Sequence, residues 1–142
     1  MKLLNFFFKI VPLFFGVIFA SQSFSSGFRG GDIFITSANL PSEVSQDFSL
    51  KKISSDRDIN LLPEEFQKLV MATNEFDYYY AISPTKRSGG YYFDIDKTTK
   101  DYKACLRAPS PMSSVTAVLT TPIALIKVRR GVTFNTLLVE CP

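Results

Sequence analysis

Residues 77–96 read DYYYAISPTKRSGGYYFDID, and the fold turns on them. Asp77–Ser83 and Tyr91–Asp96 are aromatic and β-branched runs of strand length. Between them lie Pro84–Gly90 (PTKRSGG), bounded by proline and a glycine pair. The pattern predicts a β-hairpin. Side chains alternate along a strand, so Tyr78, Tyr80 and Ile82 share one face while Tyr79 and Ala81 share the other. Likewise Tyr91, Phe93 and Ile95 oppose Tyr92 and Asp94. With one set turned to a core, Tyr79 and Tyr92 lie on an outer face beside Lys86 and Arg87 in the loop. These four residues are the candidate partner-binding surface, because tyrosine and arginine are favoured at protein interfaces.

Working toward the C-terminus, Lys100–Arg107 reads as a further strand and Ala108–Ser114, with Pro109 and Pro111, as a loop. Val115–Thr120 and Ile123–Arg129 read as strands divided by Thr121-Pro122, since proline interrupts a sheet ladder. Arg130-Gly131 turns the chain into Val132–Glu140. Working toward the N-terminus, Pro63–Phe76 is the clearest helix. Pro63 suits its first position, Glu64 and Glu65 suit the positive end of its dipole, and Phe66, Leu69, Val70 and Thr73 form one stripe. Ser54–Asn60 reads as polar loop, Asp47–Ile53 and Asp32–Ser37 as strands, and Ala38–Ser45 as a loop. The expected architecture is one small α+β domain over residues 32–142, mainly antiparallel, with about seven strands and an amphipathic helix near 63–76.

Residues 21–31 are rich in Ser and Gly and read as a flexible lead-in. Residues 1–20, MKLLNFFFKIVPLFFGVIFA, carry Lys2 and Lys9 ahead of an apolar run and a small-residue exit. That is the layout of a signal peptide, cleaved after Ala20 or as late as Ser25. The run is short for a spanning helix, and no later segment can cross a bilayer as one. Secretion or delivery to a periplasm follows as the expected location. Without Lys2 and Lys9 the sixteen basic residues become fourteen against thirteen acidic ones, so the apparent charge of +3 falls to +1. A charge so small argues against nucleic acid as a partner.

Cys105 and Cys141 are an even pair in a chain with an export layout, which predicts a structural disulfide. The 142 residues contain no histidine, which removes Ser-His-Asp and Cys-His catalysis and imidazole metal sites. Two cysteines are too few for a Cys₄ zinc site.

Asp94-Ile95-Asp96-Lys97-Thr98 resembles, over five residues, the first motif of haloacid-dehalogenase-type phosphatases. That family implies a parallel doubly wound sheet, Mg²⁺ and later Thr/Ser, Lys and acidic motifs. Only 44 residues follow Thr98, and their acids are Asp101 and Glu140. The stretch instead reads as outward Asp94 and Asp96 alternating with inward Phe93 and Ile95. An EF-hand count from Asp94 places Thr99 where glycine is needed and Cys105 where glutamate is needed. A looser calcium site would draw on Asp94, Asp96 and Asp101. Glu64/Glu65, Glu75/Asp77 and Asp94/Asp96 are the acids open to a carboxylate hydrolase. No G-x-S-x-G, P-loop or dinucleotide fingerprint is present. Lys127, Arg129 and Arg130 form a second basic cluster.

The residues therefore favour an exported, non-catalytic binding protein that acts on a protein or cell-envelope partner, with no catalytic residue, cofactor or metal assigned. The alternatives are a His-free secreted hydrolase using carboxylates and a secreted effector or toxin-like protein.

Overall fold

The computed structural model describes residues 25–29, 31–41, 48–98, 101–115, 117 and 119–142. The export segment read at 1–20 lies outside them. The described residues form, in order, β1 (Ser25–Arg29), β2 (Ile33–Pro41), β3 (Ser49–Ile53), α1 (Asp56–Asn60), α2 (Glu64–Gln67), β4 (Phe76–Ile82), β5 (Tyr92–Lys97), β6 (Tyr102–Arg107), β7 (Thr120–Arg129) and β8 (Phe134–Glu140). One sheet has the strand order β1-β2-β7-β4-β3 and is antiparallel throughout. The other has the order β5-β6-β8, antiparallel between β5 and β6 but parallel, with a register shift, between β6 and β8. β1 runs through the segment read above as a lead-in, where Ser25–Arg29 pairs with Ile33–Ser37.

The larger sheet is buried on both faces. Toward the smaller sheet, Ile33, Ile35, Ala81, Ala124, Ile126 and Val128 meet Phe93, Ile95, Ala104 and Leu106. On its other face Ala38, Tyr78, Ile123 and Leu125 meet Leu62 and Phe66 of the helical segment. The result is three layers: short helices, five strands, three strands. Phe66 is fully buried and its ring stands edge-on to Tyr80 at 6.2 Å, a burial worth about 2–3 kcal/mol. Burial in this layer pushes the Tyr80 phenol up to about 12.

The expected hairpin does not form. β4 pairs with β3 and β7, while β5 pairs with β6 in the other sheet. The patterns of the two runs explain the separation. β4 carries apolar groups on both faces, so it needs cover above and below and becomes an interior strand. β5 carries Asp94 and Asp96 on one face and buried Phe93 and Ile95 on the other, which suits an outer sheet.

The helix near 63–76 is also shorter than expected. α2 ends at Gln67, and Phe76 opens β4 opposite Arg129. β4 claims the end of the apolar stripe, and tertiary pairing overrides the local helix signal. Met71 N–H donates to the Tyr78 hydroxyl at 3.3 Å, tying the connecting segment to β4. The polar stretch before α2 forms α1 instead of loop. Ser55 accepts from the Asp58 amide and Asp58 reaches back to the Ser55 amide, a capping box.

Pro122 does not divide β7, which is continuous from Thr120 to Arg129. Pro122 C=O accepts from Ser83 N–H at 3.0 Å, so the proline nitrogen faces the same side, past the end of the β4 ladder at Ile82. No ladder donor is lost there. At the other end Gly131, with φ +88°, reverses the chain from β7 into β8.

Candidate functional site

β5 begins where the two sheets meet. The Ser37 hydroxyl, almost fully buried, accepts from Phe93 N–H at 3.1 Å and donates to Ile123 C=O at 3.3 Å. Asn39 donates to Tyr91 C=O at 3.3 Å. β2 therefore holds the first residues of β5 and fixes where the preceding loop 84–91 emerges.

That loop lies against Pro109, Val115 and Thr120. Lys86 and Thr120 exchange both backbone hydrogen bonds, at 2.7 and 3.0 Å, and the Thr120 hydroxyl donates to Ser88 C=O at 3.1 Å. Gly90 has φ +85°, and a Cβ there would stand 2.8 Å from Val115 Cγ1 and 2.9 Å from Pro109 Cβ. Only glycine allows both the backbone turn and the close approach. These contacts join the loop 84–91 to Pro109, Val115 and Thr120 at one end of the molecule.

This loop end carries Tyr92 at 41% exposure, Leu119 at 54% and Met112 at 94%, with Val115 also exposed. Arg87, in the loop 84–91, is also exposed. Lys86 is occupied: its ammonium meets Glu140 at 3.0 Å and lies 5.2 Å from the Tyr91 ring centroid.

The four predicted partner-binding residues are not all brought together. Tyr92, Lys86 and Arg87 belong to the loop end. Tyr79 sits on β4, facing the space between the sheets, half-buried with its ring 5.0 Å from that of Phe134. Its hydrophobic role was hidden because every tyrosine in the run has the same local signature. Met112, Val115 and Leu119 were missed. The proline-rich stretch around Met112 marked a loop, but nothing in the sequence placed it against Gly90.

Cys105 and Cys141 form the disulfide expected of them, with Cα atoms 5.2 Å apart, inside the usual range. The bridge holds the chain end on β6, where Cys141 N–H also donates to Leu106 C=O at 2.9 Å. Along β5 and β6 the outward charges pair across strands. Arg107 contacts Asp94 at 2.9 Å, and Lys103 contacts Asp96 at 3.5 Å. The hydrogen bond that Arg107 donates to the Asp94 carboxylate holds its guanidinium above even its ordinary high value. Asp101 is engaged locally with Thr98, which its backbone and carboxylate both contact. Asp94, Asp96 and Asp101 are thus each tied up separately, and no group of three potential metal ligands occurs among the described residues.

A concave feature lies at the opposite end of β7. A cavity of about 180 Å³ opens between α1, residues 70–73 and the start of β4. Ile53, Ile59, Val70 and Phe76 line it, and Asp56, Asp77 and Arg130 stand around it. Asp77 contacts Lys52 at 3.1 Å and Arg130 at 3.3 Å. No described helix is long and apolar enough to cross a membrane. No protein family, curated protein or solved structure matches this chain.

Proposed function

We propose that the chain is an exported, non-catalytic binding domain that engages a protein partner through its loop end. The observation that carries this reading is the exposure of Met112, Leu119, Val115, Tyr92 and Arg87 at the end of the molecule where Lys86 is bonded to Thr120 and Gly90 packs on Pro109 and Val115. Exposed apolar groups on a small domain are common singly but informative when gathered. Tyrosine, methionine and arginine are also the residue types enriched where proteins meet. Export rests on the leader layout and the disulfide, which persists in oxidising compartments. The hydrolase alternative asks for two acids facing across a pocket. Asp94 and Asp96 each face a cation instead, Asp77 is engaged by two cations, and Asp56 is exposed.

The test is capture of partners by the natively processed protein and by the triple variant Tyr92→Ala/Met112→Ala/Arg87→Ala. Loss of a specific captured protein, with the unfolding midpoint unchanged, supports the reading. Equal capture by both proteins refutes it.

A further inference from the structure

We infer that the Cys105–Cys141 bridge is a reducible catch for β8. When a dithiol reduces it, β8 leaves β6 while the five-stranded sheet stays folded, and the loop end loses the acid that meets Lys86. The consequence for binding rests on the loop end being a binding surface; the release of β8 does not.

Three observations carry it. The first is how little else holds β8. None of its seven residues is buried, whereas seven of the ten in β7 are. Asn135, Thr136, Leu137 and Glu140 are exposed, Leu137 at 65%. Phe134 and Leu138 are only half-buried against the core. The strand lies at the margin of its sheet and pairs with β6 alone; β3 lies near it without pairing. Its ladder is parallel, the slightly weaker kind, and shifts register between Lys103 and Cys105. A strand so held regains backbone freedom on leaving, and once the covalent tie is gone that gain outweighs the partial burial it gives up.

The second is where the tie sits. Cys141 follows β8 directly and is joined to Cys105 on β6. The same end has two other contacts: Cys141 N–H donates to Leu106 C=O at 2.9 Å, and Glu140 meets Lys86 at 3.0 Å with its carboxylate 68% exposed. An ion pair that open to water holds little by itself. Cys105 is 1% exposed and Cys141 half-buried, so Cys141 is the sulfur open to attack. One thiolate of the dithiol attacks it, and the Cys105 sulfur leaves and takes up a proton. The second thiolate then closes on the first, displacing the Cys141 sulfur, which is protonated in turn. The dithiol departs as a disulfide, having given two electrons.

The third is what β8 takes with it. Glu140 is the residue before Cys141 and the acid that Lys86 contacts. Lys86 stays behind, because its backbone exchanges two hydrogen bonds with Thr120. Release of β8 therefore adds one uncompensated positive charge to the loop end. In an oxidising compartment the bridge is closed by default, and a dithiol reductant is the signal that opens it.

The test is hydrogen exchange on the natively processed chain before and after treatment with dithiothreitol. Reduction speeds exchange in 134–141 by about a hundredfold or more, toward the rate of unstructured chain, while β2, β4 and β7 stay protected. Cys105→Ser/Cys141→Ser, which cannot re-form the bridge, repeats that pattern. Acylation of the Lys86 amine rises several-fold on reduction, and Glu140→Gln gives the same rise with the bridge intact. Protection of 134–141 that survives reduction overturns the inference. Loss of protection in all strands together also overturns it, because the bridge is then a staple of the whole domain. Unchanged Lys86 labelling in the reduced chain overturns the link to the loop end. If β8 stays docked after reduction while the triple loop-end variant loses partner capture, the catch falls and the proposed function stands. If reduction frees β8 and that variant captures as the wild type does, the catch stands and the proposed function falls.

Discussion

Replacing Ser37 by alanine tests the argument that one hydroxyl joins the two sheets. Ser37 is 3% exposed, and its oxygen accepts from Phe93 N–H at 3.1 Å while donating to Ile123 C=O at 3.3 Å. Phe93 is itself 2% exposed, so water does not reach its amide to replace the lost acceptor. An orphaned buried donor costs about 1–3 kcal/mol, more than the net value of an ordinary hydrogen bond. The carbonyl of Ile123 loses less, since a carbonyl keeps a second lone pair. The expected loss is about 2 kcal/mol, which lowers a urea midpoint by about 1 M at unchanged slope for a domain of this size. Ser110→Ala, on an exposed loop residue, serves as the comparison and changes stability by under about 0.5 kcal/mol. Hydrogen exchange at the Phe93 amide locates the effect, with protection lost there first. A shift below about 0.5 kcal/mol with the Phe93 amide still protected refutes the claim that Ser37 bears the junction.

Three further outcomes follow from the same structure. Replacing both Cys105 and Cys141 by serine removes a bridge of 36-residue separation and costs about 4 kcal/mol by the loop-entropy relation, read as a fall in denaturation midpoint. Gly90→Ala forces a Cβ to within 3 Å of Pro109 and Val115 at positive φ; about 1–3 kcal/mol is lost, and hydrogen exchange rises in 84–91 and 108–119 before it rises in the sheets. Tyr80, raised from 10.0 to about 12 by burial, keeps its proton better when folded than unfolded. Its contribution is therefore complete below pH 10 and is lost as pH rises toward 12. Tyr80→Phe flattens the fall in stability across that window, measured by urea midpoints and absorbance at alkaline pH.

The layering of the fold was legible in the residues once each strand is asked how many of its faces are apolar. The alternation of Asp94 and Asp96 with Phe93 and Ile95 marked which side of β5 is buried, though not which sheet it joins. The run Tyr78–Tyr80 was harder. A tyrosine suits a core, a sheet surface or an interface, so Tyr79 against Phe134 and Tyr92 in solvent look alike in sequence. The hairpin expectation failed because a loop bounded by Pro84 and Gly90 signals only a change of direction. It does not say whether the next strand rejoins the same sheet. The helix expectation failed at Phe76, whose apolar side chain continued the helical stripe but whose backbone pairs with Arg129. Pro122 misled in the opposite sense. Proline breaks a ladder only when its nitrogen faces a partner strand, and that orientation depends on where β4 ends. The cysteine pair needed only the export layout and an even count.

The contacts that hold the loop end together decide how its residues behave when truncated. The paired bonds between Lys86 and Thr120, the bond from Thr120 to Ser88 C=O, and the packing of Pro109 and Val115 over Gly90 fix the frame without using Tyr92 or Met112. Tyr92 stands on β5, a strand anchored from below by Ser37 through Phe93. A surface held in place before it meets a partner loses little further conformational freedom on binding, so more of its apolar contact appears as affinity. Removal of the Tyr92 ring or the Met112 side chain should therefore change binding while leaving stability nearly untouched. Tyr79 is the internal contrast: its ring packs on Phe134 between the sheets, so Tyr79→Ala lowers stability, and any loss of binding it causes is indirect. The same substitution, Tyr79→Ala against Tyr92→Ala, thus separates the frame from the surface it presents.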